Sequence, residues 1–449
     1  MKINKTFVCL SILAAIGILW RSYPHILIPR LFPSGESNNL AYVFWLVNHG
    51  GRAYDVFHVP HLEFYLVYFL HLLGANVERV SFVINPIIGG CSVFAFYFFI
   101  SKIISQKGAL RASALFTFSE TMFYRTCHFG STEALGIFFM FVFFGLYVRK
   151  HFISSILILA VVPLAHVLPF LFIVLVVCLD LLLKGKILPA LMICTISLIF
   201  LFNSFISPHR ALTKKFLESI SFSRAFSKMF LFSPLELVVS SRFYLGTVMM
   251  LLLALVGFRK WERIEQEMIL VSLVMFVGST LFYDAGVISP MRITPYISIP
   301  LFSICAKVIT KKSIIIGLVV SMIVSPLIGG TDRFVWLSDA ITEEEIVAIE
   351  WFEAEGHFEQ GRIIYLYCDL PVKQYVQLYS YKKVNITHPK YVFISERMSK
   401  RSFSLIMQEG KRTLDLRVPM EDVWSNSPSW KLIYDEQGVK IYERRGIVW

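Results

Sequence analysis

Charge is scarce in this 449-residue chain. Asp, Glu, Lys and Arg make up 16% of it, against about a quarter in soluble globular proteins. Apolar residues fill the gap, with 56% AVILMFWYC, 41 Phe and a mean hydropathy of +0.64. A water-soluble fold cannot hide that much apolar surface, and a disordered chain or a coiled coil would not carry it. Cysteine is sparse too. Its seven copies, at 9, 91, 127, 178, 194, 305 and 368, lie mostly within apolar runs and form no C-x-x-C. That excludes a disulfide framework and a zinc ribbon, leaving packing as their role. No Walker-type or G-x-G-x-x-G loop is present, so nucleotide binding has no support. There is no internal repeat and no low-complexity segment. What remains is a polytopic α-helical membrane protein.

The net charge of +12 must be located before it is interpreted. Residues 1–330 hold 27 Lys+Arg and 13 Asp+Glu, whereas residues 331–449 hold 16 and 18. The spacing of apolar runs predicts eleven spans: 6–22, 80–101, 109–124, 133–149, 152–166, 167–183, 187–206, 243–258, 268–283, 293–309 and 313–330. The fifth and sixth meet at His166, where one broken helix is the alternative. Segment 61–74 is too short to span and suits an interfacial or re-entrant helix. Positive residues favour cytoplasmic loops. With the N-terminus inside, every inner segment is basic: Lys2/Lys5, Lys102/Lys107/Arg111, Arg149/Lys150, Lys184/Lys186, Arg259/Lys260/Arg263 and Lys307/Lys311/Lys312. Counting 61–74 as a span would reverse all the later ones. The excess charge thus records topology, and no nucleic-acid partner is implied. Arg21-Ser22-Tyr23-Pro24 offers no small-residue cleavage site after the first apolar run, which reads as an uncleaved span.

This topology gathers the polar residues on the outer face. A long first loop, 21–79, carries Gly35-Glu36-Ser37-Asn38-Asn39, then Asp55, His58 and His61. A short second loop runs Arg125-Thr126-Cys127-His128-Phe129-Gly130-Ser131-Thr132-Glu133. Ionisable groups at a membrane mouth are costly unless paired or used, which singles out Glu133 and Arg292. Glu133 has two readings, an ion pair with Arg125 or helix cap on one side and chemistry on the other. The loop 207–242 holds six Lys+Arg against Glu218 and Glu236. It reads as a surface helix on anionic headgroups or as a site for a lipid phosphate. The Asp55, His58, His61 spacing would align on a helix, but Pro60 argues against a continuous one.

These motifs resemble the GT-C glycosyltransferases, and most closely the catalytic subunit of oligosaccharyltransferase. Gly35-Glu36-Ser37 is similar to the G-x-D or D-x-D element of that family's first loop, and Arg125 to Glu133 to its R-S-x-A-G-x-x-D-x-E. Met291-Arg292-Ile293-Thr294-Pro295 resembles its arginine-bearing late span. Ser131 stands where the family has an acid, Pro234-Leu235-Glu236 is a weak counterpart of T-I-x-E, and W-W-D-Y-G is missing. The resemblance implies transfer of a sugar or glycan from a polyprenyl-phosphate-linked donor to a glycan, lipid or protein acceptor, outside the membrane. It implies Glu36, Asp55 and Glu133 as catalytic residues. Arg125, His166, Arg292 and Glu236 would bind substrate or phosphate. Glu36 and Glu133 would be ligands of Mn²⁺ or Mg²⁺. The alternative from another class is a non-enzymatic carrier, flippase or assembly protein for lipid-linked glycans.

The tail, 331–449, reads as a small extracytoplasmic α/β domain with a helix over 342–355, a strand over 362–369, a helix over 371–381 and a strand over 390–395. A terminal hairpin turns around Asp435–Gly438. Asn385-Ile386-Thr387 is a candidate glycan acceptor.

Overall fold

The computed structural model describes residues 5–27, 43, 46–47, 50–51, 62–127, 133–202, 245–281, 293–309, 311–328, 342–357, 363–368, 372, 376, 383–385, 390–395, 403–405, 414–416 and 427–445. They belong to two compact units, one holding Met1–Leu27 and Tyr42–Phe334, the other Val335–Trp449.

The first unit is helical: α1 Lys5–Leu27, α2 Leu62–Leu72, α3 Val77–Ile100, α4 Gln106–Phe118, α5 Glu120–Thr126, α6 Ala134–Val148, α7 Phe152–Ala165, α8 Val167–Leu183, α9 Ile187–Phe202, α10 Leu245–Val256, α11 Arg263–Leu281, α12 Thr294–Val308 and α13 Lys312–Ile328. Among the described residues two stretches, Lys5–Tyr23 and Arg79–Ile100, are long and apolar enough to cross a membrane, and seven shorter apolar helices accompany them. Helix α12 is buried without interruption from Thr294 to Ala306, the mark of a helix enclosed on all sides. Phe302 on α12 meets Phe96 of α3 and Phe116 of α4 edge-on, and Phe141 of α6 closes the group at 5.1 Å from Phe96. Four helices thus share one aromatic core.

One boundary differs from the sequence reading for an identifiable reason. The run 109–124 is divided, because Ser119 leaves helical geometry (ψ 125°) and its hydroxyl accepts from the Met122 N–H, starting α5 with Glu120 in its first turn. Helix α2 packs along α3, and buried Glu63 at its start lies beside Asn85, eight residues into α3. At 1.5 Å per residue that places Glu63 about 12 Å from the start of α3.

The basic ends are tied to one another, which defines a Lys5 end of the bundle. Arg149 donates to Ser101 Oγ (3.2 Å) and covers the Phe98 ring. Asp180 accepts from Tyr147 and Lys184, both at 2.6 Å, with Arg263 at 3.8 Å. Lys307 reaches Glu265 at 2.6 Å, and Glu265 also accepts from Ser303. Arg111 donates to the Ile309 carbonyl. These contacts join the ends of α3, α4, α6, α8, α11 and α12.

The second unit has α14 Glu343–Ala354 and a five-stranded sheet in the order β2-β1-β3-β7-β6, from β1 Ile363–Tyr367, β2 Lys383–Asn385, β3 Tyr391–Ser395, β6 Trp430–Glu436 and β7 Val439–Arg444. Strands β4 Phe403–Leu405 and β5 Leu414–Leu416 pair separately. β1 lies parallel to β2 and β3, and β7 is antiparallel to both neighbours. Thr342 and Glu345 form a reciprocal capping box on α14. Gly356 (φ +75°) ends it, with Gly356 N–H to Glu353 O and His357 N–H to Phe352 O, a Schellman stop. Gln437 and Gly438 both take positive φ between β6 and β7, as a two-residue type I′ hairpin requires. Of the expected 371–381 helix, Val372 and Val376 are described, helical and buried.

Candidate functional site

The opposite, Leu27 end of the bundle holds the buried ionisable residues singled out by the sequence. Glu133 immediately precedes α6 and is 0% exposed; its side chain makes no capping bond. Arg125, in the last turn of α5, brings Nε to 3.6 Å from Glu133 Oε2, and His166 brings Nε2 to 3.8 Å from Oε1. Both are ion-pair distances, longer than hydrogen bonds. Of the two structural readings of Glu133, pairing with Arg125 is the one realised. Arg125 keeps 16% of its side chain exposed and His166 4%. The arginine is therefore the member of the trio that faces outward most.

His166 owes its position to a break in the backbone. It ends α7 and begins α8 in an extended conformation, and its Nδ1 accepts the Leu168 N–H at 3.2 Å. An accepting Nδ1 carries the lone pair, so the ring proton of the neutral imidazole sits on Nε2, the nitrogen aimed at Glu133. Gly136, in the first turn of α6, permits the approach: a Cβ there would stand 3.0 Å from His166 Cβ and 2.8 Å from Pro169 Cγ. The helix break, the glycine and the carboxylate thus form one local unit.

Helix α5 is held at both ends. Near its start, Thr121 Oγ1 bonds Ser119 Oγ (2.9 Å) and donates to Ser298 Oγ of α12 (3.0 Å). At its end, Thr126 Oγ1 accepts from Arg21 Nε at 2.6 Å. Arg21 is wholly buried; the sequence reading placed it where the first span, 6–22, meets the first loop, 21–79, and gave it no role in the site. A charge directly after an apolar run, beside Trp20, was the available signal.

The structure brings together Glu133, Arg125 and His166, which the sequence places 41 residues apart at the extremes (166 − 125). Glu36, Asp55, Glu236 and Arg292 lie outside the described residues, as do Ser131, His58, His61 and the basic segment 207–242. Among the described residues no group of three His, Cys, Asp or Glu side chains gathers as a metal site would. Glu133 turns its oxygens toward a guanidinium and an imidazole N–H. Glu36, the other expected ligand of Mn²⁺ or Mg²⁺, lies outside the described residues. The trio can hold an anionic oxygen at Arg125 and receive a proton at Glu133.

No protein-family model matches this chain, and no curated protein matches it either. Solved structures do. The Archaeoglobus fulgidus oligosaccharyltransferase in complex with zinc and sulfate aligns with a TM-score of 0.53 at 12% identity, over 84% of this chain and 62% of that one. The apo form aligns with a TM-score of 0.57 at 11% identity, over 89% of this chain and 70% of that one. This chain spans under two thirds of the length of the first. At such identities the likeness is one of fold, and over most of its length this chain has the fold of the archaeal oligosaccharyltransferase.

Proposed function

We propose that the chain is a membrane glycosyltransferase that moves a sugar or glycan from a polyprenyl-phosphate-linked donor to an acceptor at the outer membrane surface. The observation that carries this is buried Glu133 set between Arg125 and the Nε2–H of His166, in a fold shared with oligosaccharyltransferase structures. The bundle crosses the membrane through about eleven spans, its Lys5 end cytoplasmic and its C-terminal unit extracytoplasmic. The contacts among the basic ends support this orientation, because like-facing segments can meet only at one end of a bundle.

In the reaction the acceptor oxygen or nitrogen attacks the anomeric carbon of the donor. The bond from that carbon to the phosphate oxygen breaks, and its electron pair leaves on the phosphate. Glu133 takes the acceptor's proton, and Arg125 faces the charge that develops on the leaving group. His166 faces Glu133 with Nε2–H at 3.8 Å and helps orient its carboxylate. Glu36 and Asp55 are the further catalytic candidates. Arg292, Glu236 and the basic segment 207–242 are candidates for the donor phosphate and headgroup region.

Two other readings are separated from this one by a single experiment. In the first, Glu36 and Glu133 hold Mn²⁺ or Mg²⁺; in the second, the chain carries or assembles lipid-linked glycans without turnover. Purified protein is assayed for release of polyprenyl phosphate, with and without EDTA or Mn²⁺. The expected result is turnover that persists in EDTA and falls about 100-fold or more in Glu133→Gln. Loss in EDTA restored by Mn²⁺ would make Glu133 a ligand. No release from wild type under any condition would leave the carrier reading.

A further inference from the structure

Helix α5 has seven residues, Glu120–Thr126, too few to hold its own shape without tertiary support. Its first turn is fixed to α12 through Thr121 and Ser298. Its last turn, which carries Arg125, is fixed by a different helix. Arg21 of α1 donates Nε to Thr126 Oγ1 at 2.6 Å, and Nη1 to the Thr117 carbonyl at 3.1 Å and the Gly17 carbonyl at 3.2 Å. One side chain thereby joins the last turn of α4, the last residue of α5 and its own helix.

The residue type and the space around it suit this work. The carbonyl-rich ends of α4 and α5 present partial negative charge, which a cation satisfies without a carboxylate. A guanidinium fork serves separate acceptors at once, as an ammonium cannot. The Arg21 carbon Cζ also stands 5.8 Å from the Phe116 ring centroid. Among the described residues Nη2 has no hydrogen-bond partner, so the hold rests on Nε and Nη1. Gly89 of α3 leaves the room: a Cβ there would lie 2.7 Å from Arg21 Cδ, 2.8 Å from Nε and 2.7 Å from Thr126 Cβ.

We propose that Arg21 is a positioning residue for the Arg125–Glu133 pair, acting through Thr126. Adjacent helical residues point about 100° apart, so turning Thr126 toward α1 sends Arg125 to another face of α5, where Glu133 stands. Release of Thr126 frees the last turn to rotate, and Arg125 loses its aim at Glu133. The catalytic meaning of that aim rests on the glycosyl-transfer reading; the pin itself does not.

The test uses the full-length protein in nanodiscs and four variants: Arg21→Gln, Arg21→Lys, Thr126→Val and the double Arg21→Gln/Thr126→Val. Steady-state release of polyprenyl phosphate gives kcat and KM for the donor, and hydrogen exchange follows segment 119–127. Arg21→Gln is expected to lower kcat about 10–100-fold with KM within about threefold, the signature of misplaced reacting groups. Thr126→Val moves kcat in the same direction by about 3–10-fold, and the double variant is no worse than Arg21→Gln, because both remove one contact. Arg21→Lys recovers only part of the loss. Exchange rises at 124–127 and stays low at 119–122, which Ser298 still holds. Unchanged kcat and exchange in Arg21→Gln, or fully additive losses in the double variant, would overturn the proposal. Should Arg21→Gln fail to fold, Thr126→Val decides the same point. A wild type without turnover refutes the glycosyl-transfer reading, and exchange at 124–127 then still accepts or rejects the pin.

Discussion

His166 performs two tasks with two nitrogens, and they can be separated by substitution. Nδ1 caps α8 by accepting from Leu168, while Nε2 faces Glu133. Asparagine reproduces an acceptor near the Nδ1 position and is itself a favoured N-cap. His166→Asn should therefore keep the thermal stability of wild type and lose turnover, by about tenfold or more if Nε2–H orients the carboxylate. Glutamine reaches further and sacrifices the cap, so His166→Gln should lose about 0.5–2 kcal/mol of stability yet keep more activity than the asparagine variant. A thermal melt and a donor-turnover assay on the two proteins check this crossed pattern. Equal behaviour of the two would mean the nitrogens are not doing separate jobs. At this scale the sequence exposed Glu133 and Arg125 by their place at a predicted mouth, and His166 by its isolation in an apolar run. Arg21 showed only as a charge beside Trp20, and its burial stayed hidden, because a charge at the edge of a span looks the same whether it turns to water or to a neighbouring helix.

Among the elements, the close approach of α1, α3 and α5 depends on glycine as well as on the Arg21–Thr126 bond. A methyl at Gly89 would meet Arg21 and Thr126 below 3 Å, closer than any relaxed carbon contact. Gly89→Ala should cost about 1–3 kcal/mol by overpacking, read as a lower melting temperature, and should raise exchange at the end of α5. Alanine at Gly278, whose added Cβ would meet nothing within 4 Å, serves as the control and should leave both unchanged. Most helices were legible from apolar periodicity and length, as the match of 152–166 and 167–183 with α7 and α8 illustrates. The division of 109–124 was not, because Ser119 and Glu120 interrupt an otherwise continuous apolar run and only the cap geometry reveals the turn. In the second unit the hairpin announced itself through Gln437-Gly438, whereas the three-residue strand β2 did not. Such a strand exists because β1 lies beside it, and a segment that short carries no period of its own.

For the molecule as a whole, pH enters through the second unit. His357 packs against Phe352 at 4.8 Å and against Tyr391, with its Nδ1 3.2 Å from the Tyr391 hydroxyl. Burial lowers its pKa below the usual 6.5, and Lys390 lowers it further, while Glu443 and Glu355 act in the opposite direction. A histidine depressed in the folded state binds fewer protons than in the unfolded chain as pH falls below about 6.5. Its contribution to stability is thus present above that pH and lost progressively below it. Hydrogen exchange of segments 352–357 and 391–395 in the full chain should accelerate between pH 7 and pH 5. His357→Phe, which keeps the ring contacts without the charge, should flatten that dependence; an unchanged slope in the variant would assign the effect elsewhere.

The sequence by itself determined the order of the described helices and the basic charge at their ends. Those properties follow from local composition: apolar length, basic flanks and turn residues act over a few neighbours and need no knowledge of the fold. The scarcity of charge became informative once the basic residues were sorted by segment, and the structure shows those segments meeting at one end through Asp180, Glu265 and Ser101. Tertiary structure alone decided which polar groups share a site. Glu133 meets His166 because Gly136 admits a broken helix against α6, and Arg125 faces Glu133 while Arg21, 104 residues away (125 − 21), holds the end of its helix. Contacts across such separations are set by packing of whole helices, which no local pattern encodes.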